Sequence, residues 1–168
     1  MRKIVLLAML AAAPLGAAQT QAPSETARDP NFATFLRQWE AAQTRFINGN
    51  PTSWKQNASH GPDVTILGAF GGSEKGWNEV GPRNDWASGQ FKESGATQTI
   101  EYLNTAVSGD LAFTVSIERQ VAQIAGQPKA TRRALRVTQV FRKEGGVWKL
   151  LHRHADPLVE RLPPSERR

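Results

Sequence analysis

TRRALRVTQVFRKEGGVWKLLHRHAD, residues Thr131 to Asp156, sets two runs rich in β-branched and aromatic residues on either side of Gly145-Gly146. The runs are Arg133 to Phe141 and Val147 to Ala155. Glycine reaches positive φ without steric cost, so a glycine pair between such runs predicts a tight hairpin. With a two-residue loop, Glu144 faces Val147. Counting outward then puts Phe141 opposite Leu150, Gln139 opposite His152, Val137 opposite His154 and Leu135 opposite Asp156. Strand side chains alternate between faces, so these eight share one face with Trp148. That face is apolar near the turn and polar at its far end, where two histidines and a carboxylate gather. The gradient reads as a core that runs into a pocket.

A chain of 168 residues suffices for one domain with short appendages and a real core. Arg2 and Lys3 precede the apolar run Ile4 to Leu15, and Gly16-Ala17-Ala18 offers small residues for cleavage before Gln19. This is the layout of a secretory signal peptide over 1–18, and the apolar run is short for a span of about 20 residues. The chain contains no cysteine, which excludes disulfides, thiol nucleophiles and thiolate metal sites. The expected location is the periplasm or the extracellular space, off the membrane once the leader is cleaved. The formal charge is +6, of which Arg2 and Lys3 contribute two. Much of the rest lies in Arg132, Arg133, Arg136, Arg142, Lys143, Lys149, Arg153 and the tail arginines. Such a strip reads as a solvated or dimer-lining sheet face. Export and the absence of a binding motif argue against nucleic acid.

Residues 19–28 are polar and read as a flexible linker. Asp29-Pro30 then marks a helix start, with Asp as N-cap and Pro in the first turn. Phe32, Phe35, Leu36, Trp39, Ala42, Phe46 and Ile47 recur at spacings of three and four, which predicts an amphipathic helix closed at Gly49. Asn50-Pro51 repeats the signal for a short second helix around Trp54. Val64 to Leu67 predicts a short strand, followed by a glycine-rich turn. Trp77, Val80 and Trp86 predict a third helix, interrupted near Gly81-Pro82. Strands are expected over Thr97 to Asn104 and Leu111 to Ile124, then the hairpin, then a flexible tail over 157–168. Helices followed by antiparallel strands indicate an α+β domain. A strand as long as Leu111 to Ile124 must bend on so small a domain, and a bent sheet around a helix encloses a cone.

With DVTILGAFGGSEKGW (63–77), GDLAFTVSIER (109–119) and RVTQVFRKEGGVWKLLHRHAD (136–156) in this order, the chain resembles a known family. It is similar to the SnoaL-like, DUF4440-like branch of the nuclear transport factor 2-like (ketosteroid-isomerase-like) superfamily, over about residues 29–156. The resemblance implies a cone-shaped, curved antiparallel sheet wrapped around the N-terminal helix. It also implies a pocket at the open end and a homodimer through the sheet. By the same resemblance His154 matches an inward histidine, Trp148 a core tryptophan and Trp77 an aromatic near the pocket mouth. The ketosteroid isomerases use an aspartate base with a tyrosine and a protonated acid. Here Tyr102 is the one tyrosine, and no aspartate occupies the expected place of the base.

His154 and Asp156, two apart on one strand, read either as a base oriented by a carboxylate or as a structural hydrogen bond. An H-x-H pair puts imidazoles roughly 6–7 Å apart at Cα, so His152 and His154 could chelate. A third ligand is missing, and no metal is expected. Glu118 is a candidate acid or base, although alternation alone does not say which face it takes. His152, Gln139, Trp77, Tyr102 and Val137 complete the candidate ligand contacts. Five tryptophans, Trp39, Trp54, Trp77, Trp86 and Trp148, supply core and, beside the glycine-rich turn, a candidate lid. No phosphate-binding glycine loop or nucleophile elbow is present, and no cofactor is expected. The expectation is an exported domain that binds a small apolar or amphipathic molecule in its cone. The alternatives are a cyclase, isomerase or dehydratase using the His154–Asp156 pair, and a dimeric association module without catalysis.

Overall fold

The computed structural model describes residues 29–92 and 95–161. The expected leader at 1–18, the linker at 19–28 and the end of the tail at 162–168 lie outside the described residues. The first helix, α1, spans Pro30–Phe46. Asp29 caps it as the sequence predicts, its Oδ1 accepting from the backbone N–H of Asn31 at 2.9 Å and of Phe32 at 3.0 Å. Pro30 sits where a missing N–H costs nothing, because no helical carbonyl precedes it. The short helix α2, Thr52–Gln56, brings Trp54 against Trp39 with ring centroids 5.4 Å apart.

Two short strands follow, β1 at Thr65–Leu67 and β2 at Glu74–Lys75, then the helix α3 at Trp77–Ser88. The break expected at Gly81-Pro82 does not occur, and α3 runs through Pro82. The carbonyl that Pro82 leaves without a helical donor belongs to Asn78, an exposed residue, so water can satisfy it. Four long strands complete the chain: β3 Thr97–Ser108, β4 Leu111–Ala122, β5 Thr131–Glu144 and β6 Val147–Pro157. They form one six-stranded sheet in the order β2-β1-β6-β5-β4-β3. All pairings are antiparallel except β1 with β6. The architecture is the expected α+β cone, with the helices against the concave face of a curved sheet.

The hairpin turn is the expected two-glycine loop, with φ of 56° at Gly145 and 84° at Gly146. Glu144 pairs with Val147 and Phe141 with Leu150, as counted. The register then slips, because β6 carries one extra residue, Leu151, between Leu150 and His152. From there Val140 faces His152, Gln139 faces Arg153, Thr138 faces His154, Val137 faces Ala155, Arg136 faces Asp156 and Leu135 faces Pro157. The expected pairings of Gln139 with His152, Val137 with His154 and Leu135 with Asp156 are therefore corrected. A second slip in β3 leaves Leu103 as the extra residue. An extra residue in one strand bends it and increases its twist, so both bulges help coil the sheet around α1.

The closed end of the cone is the apolar half of the gradient. Phe32, Phe35, Leu36 and Trp39 from α1 meet Phe141, Trp148 and Leu150 from the hairpin. Phe32 makes edge contacts with Trp148 at 4.9 Å and Phe141 at 5.5 Å, the arrangement favoured by the ring quadrupole. Trp39, Trp54 and Trp148 are core, whereas Trp86 is exposed.

Candidate functional site

The bulge at Leu151 divides the histidine-rich end of β6 between two faces. His154 and Asp156 stand on the convex face, where His154 Nε2 and Asp156 Oδ2 are 3.0 Å apart and both side chains are about half exposed. They border an open groove with Leu103, Ile117, Arg136 and Leu158. His152 turns the same way, and its Nδ1 shares a 2.8 Å hydrogen bond with Thr65 Oγ1 on β1. Partial burial, with the neighbouring His154, lowers the His152 pKa. The shared inner face expected for His152, His154 and Asp156 is thus replaced by a shared outer one.

The concave face receives Arg153 and Ala155 instead. Arg153 reaches across the sheet to Glu118, Nη1 to Oε1 at 2.8 Å and Nη2 to Oε2 at 2.7 Å. The Glu118 side chain is completely buried and that of Arg153 is 12 % exposed. Alternation left the face of Glu118 open, and its pairing with Leu135 across β4 and β5 places it inside. Both carboxylate oxygens accept from one planar guanidinium, the strong bidentate geometry. Beside the pair, Gln98, Gln120 and Arg133 form one row across β3, β4 and β5, with Gln120 Nε2 donating to Gln98 Oε1 at 3.0 Å. Arg133 lies over the rings of Phe70, at 5.1 Å, and Phe91, at 5.9 Å. Burial lowers its pKa, Arg153 adds to the effect, and Glu118 opposes it. The basic run was expected on a solvated or dimer-lining face, but Arg133 and Arg153 turn inward.

Gln98, Gln120, Arg133 and Arg153 line a cavity of about 70 Å³ that opens to solvent, together with Gln43, Phe46 and Ile47 from the first helical segment and Arg83 and Asn84 from α3. Arg83 is held by Glu74, Nε to Oε1 at 3.1 Å, and by the carbonyl of Gly71. Four lining atoms are buried without a hydrogen-bond partner among the described residues: Gln43 Nε2, Gln98 Nε2, Gln120 Oε1 and Arg83 Nη1. Buried polar atoms are rarely left this way unless something else satisfies them.

The remaining candidates take other places. Gln139 is buried deeper, accepting from Trp39 Nε1 at 3.2 Å and Thr114 Oγ1 at 3.3 Å. Val137 packs with Leu135 and Ala155. The Tyr102 hydroxyl donates to Glu40 on α1 at 2.9 Å, and burial together with Glu40 raises its pKa. Trp77 stacks on His60, centroids 3.7 Å apart, beside a separate surface depression with Lys75 and Glu79. Among the described residues no three His, Asp or Glu side chains converge to hold a metal. None of their helices is long and apolar enough to cross a membrane. Counting from the glycine turn missed Arg153 because the bulge carries no glycine or proline to mark it. Gln43, Gln98, Gln120 and Arg133 carried no motif.

The SnoaL-like domain family matches residues 59–160. No curated protein matches the chain in sequence. Among solved structures, a nuclear transport factor 2-like superfamily protein from Salmonella enterica serovar Typhimurium superposes with a TM-score of 0.66 at 18 % identity, over 82 % of this chain and 94 % of that one. A proposed dehydratase of the same superfamily from Streptomyces avermitilis gives 0.63 at 16 %, over 82 % and 100 %. A proposed ketosteroid isomerase from Shewanella frigidimarina gives 0.59 at 24 %, over 76 % and 96 %. At these identities the likeness is one of fold.

Proposed function

We infer the role of the cone from a plain premise: the chain belongs to the SnoaL-like domain family. The reading is a small-molecule-binding domain whose site is the concave cavity lined by Arg133, Arg153, Gln98 and Gln120. One observation carries it. Four polar atoms of the lining are buried with no partner among the described residues, in a cavity with a wall of Phe46, Phe70, Phe91 and Leu135. Apolar walls with a few convergent polar groups are the usual make-up of a ligand site. Export through the segment at 1–18 remains part of the proposal. So does a homodimer through the convex face, where Leu103 and Leu158 are exposed beside Ile117; sedimentation of the purified chain as a monomer would remove the dimer.

Thermal unfolding with a panel of small carboxylates, amides and neutral lipids tests the binding reading. A ligand at a hundred times its Kd stabilises by about 2.7 kcal/mol, which raises Tm by about 8 °C for a domain of this size. The Ala69→Phe variant, which fills the cavity, should lose that shift. A panel without any stabilising compound would sink the reading.

A second reading is favoured by the 3.0 Å contact between His154 and Asp156 beside an open groove. It is an isomerase or dehydratase with His154 as the base and Asp156 fixing its tautomer. His154→Ala would abolish such an activity and leave ligand binding in the cone intact.

A further inference from the structure

We infer that the ligand of the cone is an organic monoanion, a carboxylate on an apolar body, with its head against Arg133 and Gln98. The inference rests on the reading of the cavity as a binding site and adds the chemical class.

Charge is the first argument. Three guanidiniums line the cavity. Arg153 is matched by Glu118 and Arg83 by Glu74, so both are neutralised locally. The Arg133 guanidinium has no hydrogen bond or ion pair among the described residues. Its Cζ lies 5.1 Å from the ring centre of Phe70 and 5.9 Å from that of Phe91, and these rings offer its N–H groups no charged acceptor. A partly buried cation of this kind lacks one negative charge. A single carboxylate supplies it and suits the planar fork of donors. A dianion would bring one charge too many, and a cation would meet repulsion.

Hydrogen-bonding capacity points the same way. Of the four unpartnered lining atoms, Gln43 Nε2, Gln98 Nε2 and Arg83 Nη1 are donors, and Gln120 Oε1 is the one acceptor. The Gln98 amide stands in the same cross-strand row as Arg133, with Gln120 between them. A ligand that fills this row must chiefly accept. The body is set by the rest of the lining, where Phe46, Ile47, Phe91 and Leu135 offer apolar surface. Burial lowers the Arg133 pKa, Arg153 adds to the effect and Glu118 opposes it, as expected of a partly buried cation.

Calorimetric titration of the full chain with 3-phenylpropanoate, its neutral amide 3-phenylpropanamide, and acetate tests the class. The carboxylate should bind at least tenfold more tightly than the amide and than acetate. Arg133→Gln should remove the preference over the amide, whereas Arg132→Gln on the outer face should keep it. Should Arg133→Gln fail to fold by circular dichroism, Gln98→Leu replaces it, with an expected loss of threefold or more for the carboxylate alone. Amide binding equal to or tighter than carboxylate binding overturns the anion while the cavity stands as a site. Acetate matching 3-phenylpropanoate overturns the apolar body. If none of the three binds and no compound of the thermal panel shifts Tm, both the anion and the binding site fall.

Discussion

The two faces of β6 carry the same five-residue stretch and treat it in opposite ways. Outside, His152, His154 and Asp156 sit among partly exposed neighbours, with a hydrogen bond to Thr65 and a 3.0 Å His–Asp contact open to water. Inside, Arg153 gives both donors of one guanidinium edge to a fully buried Glu118. The residues that look like chemistry in the sequence lie where water screens them, and those that look like surface charge lie where it does not. Solvent access, rather than residue type, decides which charge has a large energetic consequence.

The sharpest way to break the comparison is to test the register. Because the chain has no cysteine, a paired substitution gives a clean readout. Thr138→Cys with His154→Cys joins cross-strand neighbours and should form a disulfide on mild oxidation, seen as one oxidised species by mass spectrometry. Val137→Cys with His154→Cys should not, since the two side chains take opposite faces. The reverse result would restore the regular hairpin.

Removing one inner partner should cost most in stability. Glu118→Ala strands Arg153 in the cone, and breaking a buried pair this way costs about 3–5 kcal/mol, measurable by urea unfolding. Glu118→Leu with Arg153→Met together should recover most of that loss. On the outer face, Asp156→Asn should cost below about 1 kcal/mol, because half-exposed pairs contribute little. A large loss there would place the pair in an interface.

The smallest effect concerns pH. The folded-state pKa of His152 is lowered, first by burial and then by His154. The unfolded chain therefore binds the proton more readily. The stability contributed by neutral His152 is present above the unfolded pKa near 6.5 and is lost as pH falls through the lower folded value. Urea midpoints between pH 8 and pH 5 should fall less steeply in His152→Gln than in the parent chain. Parallel curves would show that His152 takes no part.

Much of the fold was legible because it rests on local signals. Asp29-Pro30 starts α1 as read, the 3.6-residue stripe is its buried face, and Gly145-Gly146 makes the turn. Less local features were not legible. Pro82 should break a helix by its own chemistry and does not, because the carbonyl it orphans belongs to an exposed residue, Asn78, that water can reach. The parallel pairing of β1 with β6 joins segments 87 residues apart and has no periodicity of its own. The cavity suffered most, since its polar groups come from α1, α3 and four strands, and each was ordinary by itself.

The sequence by itself determined the order and type of the long elements, the capped first helix, the hairpin turn and the apolar core at its closed end. These depend on φ preferences and hydrophobic spacing, which act over a few residues. Only the tertiary structure decided which residues at the far end of β6 face the concave cavity. A strand bending around α1 absorbs the curvature by inserting one residue, Leu151, and side chains alternate with a period of two. That single insertion exchanges inside for outside in everything that follows it.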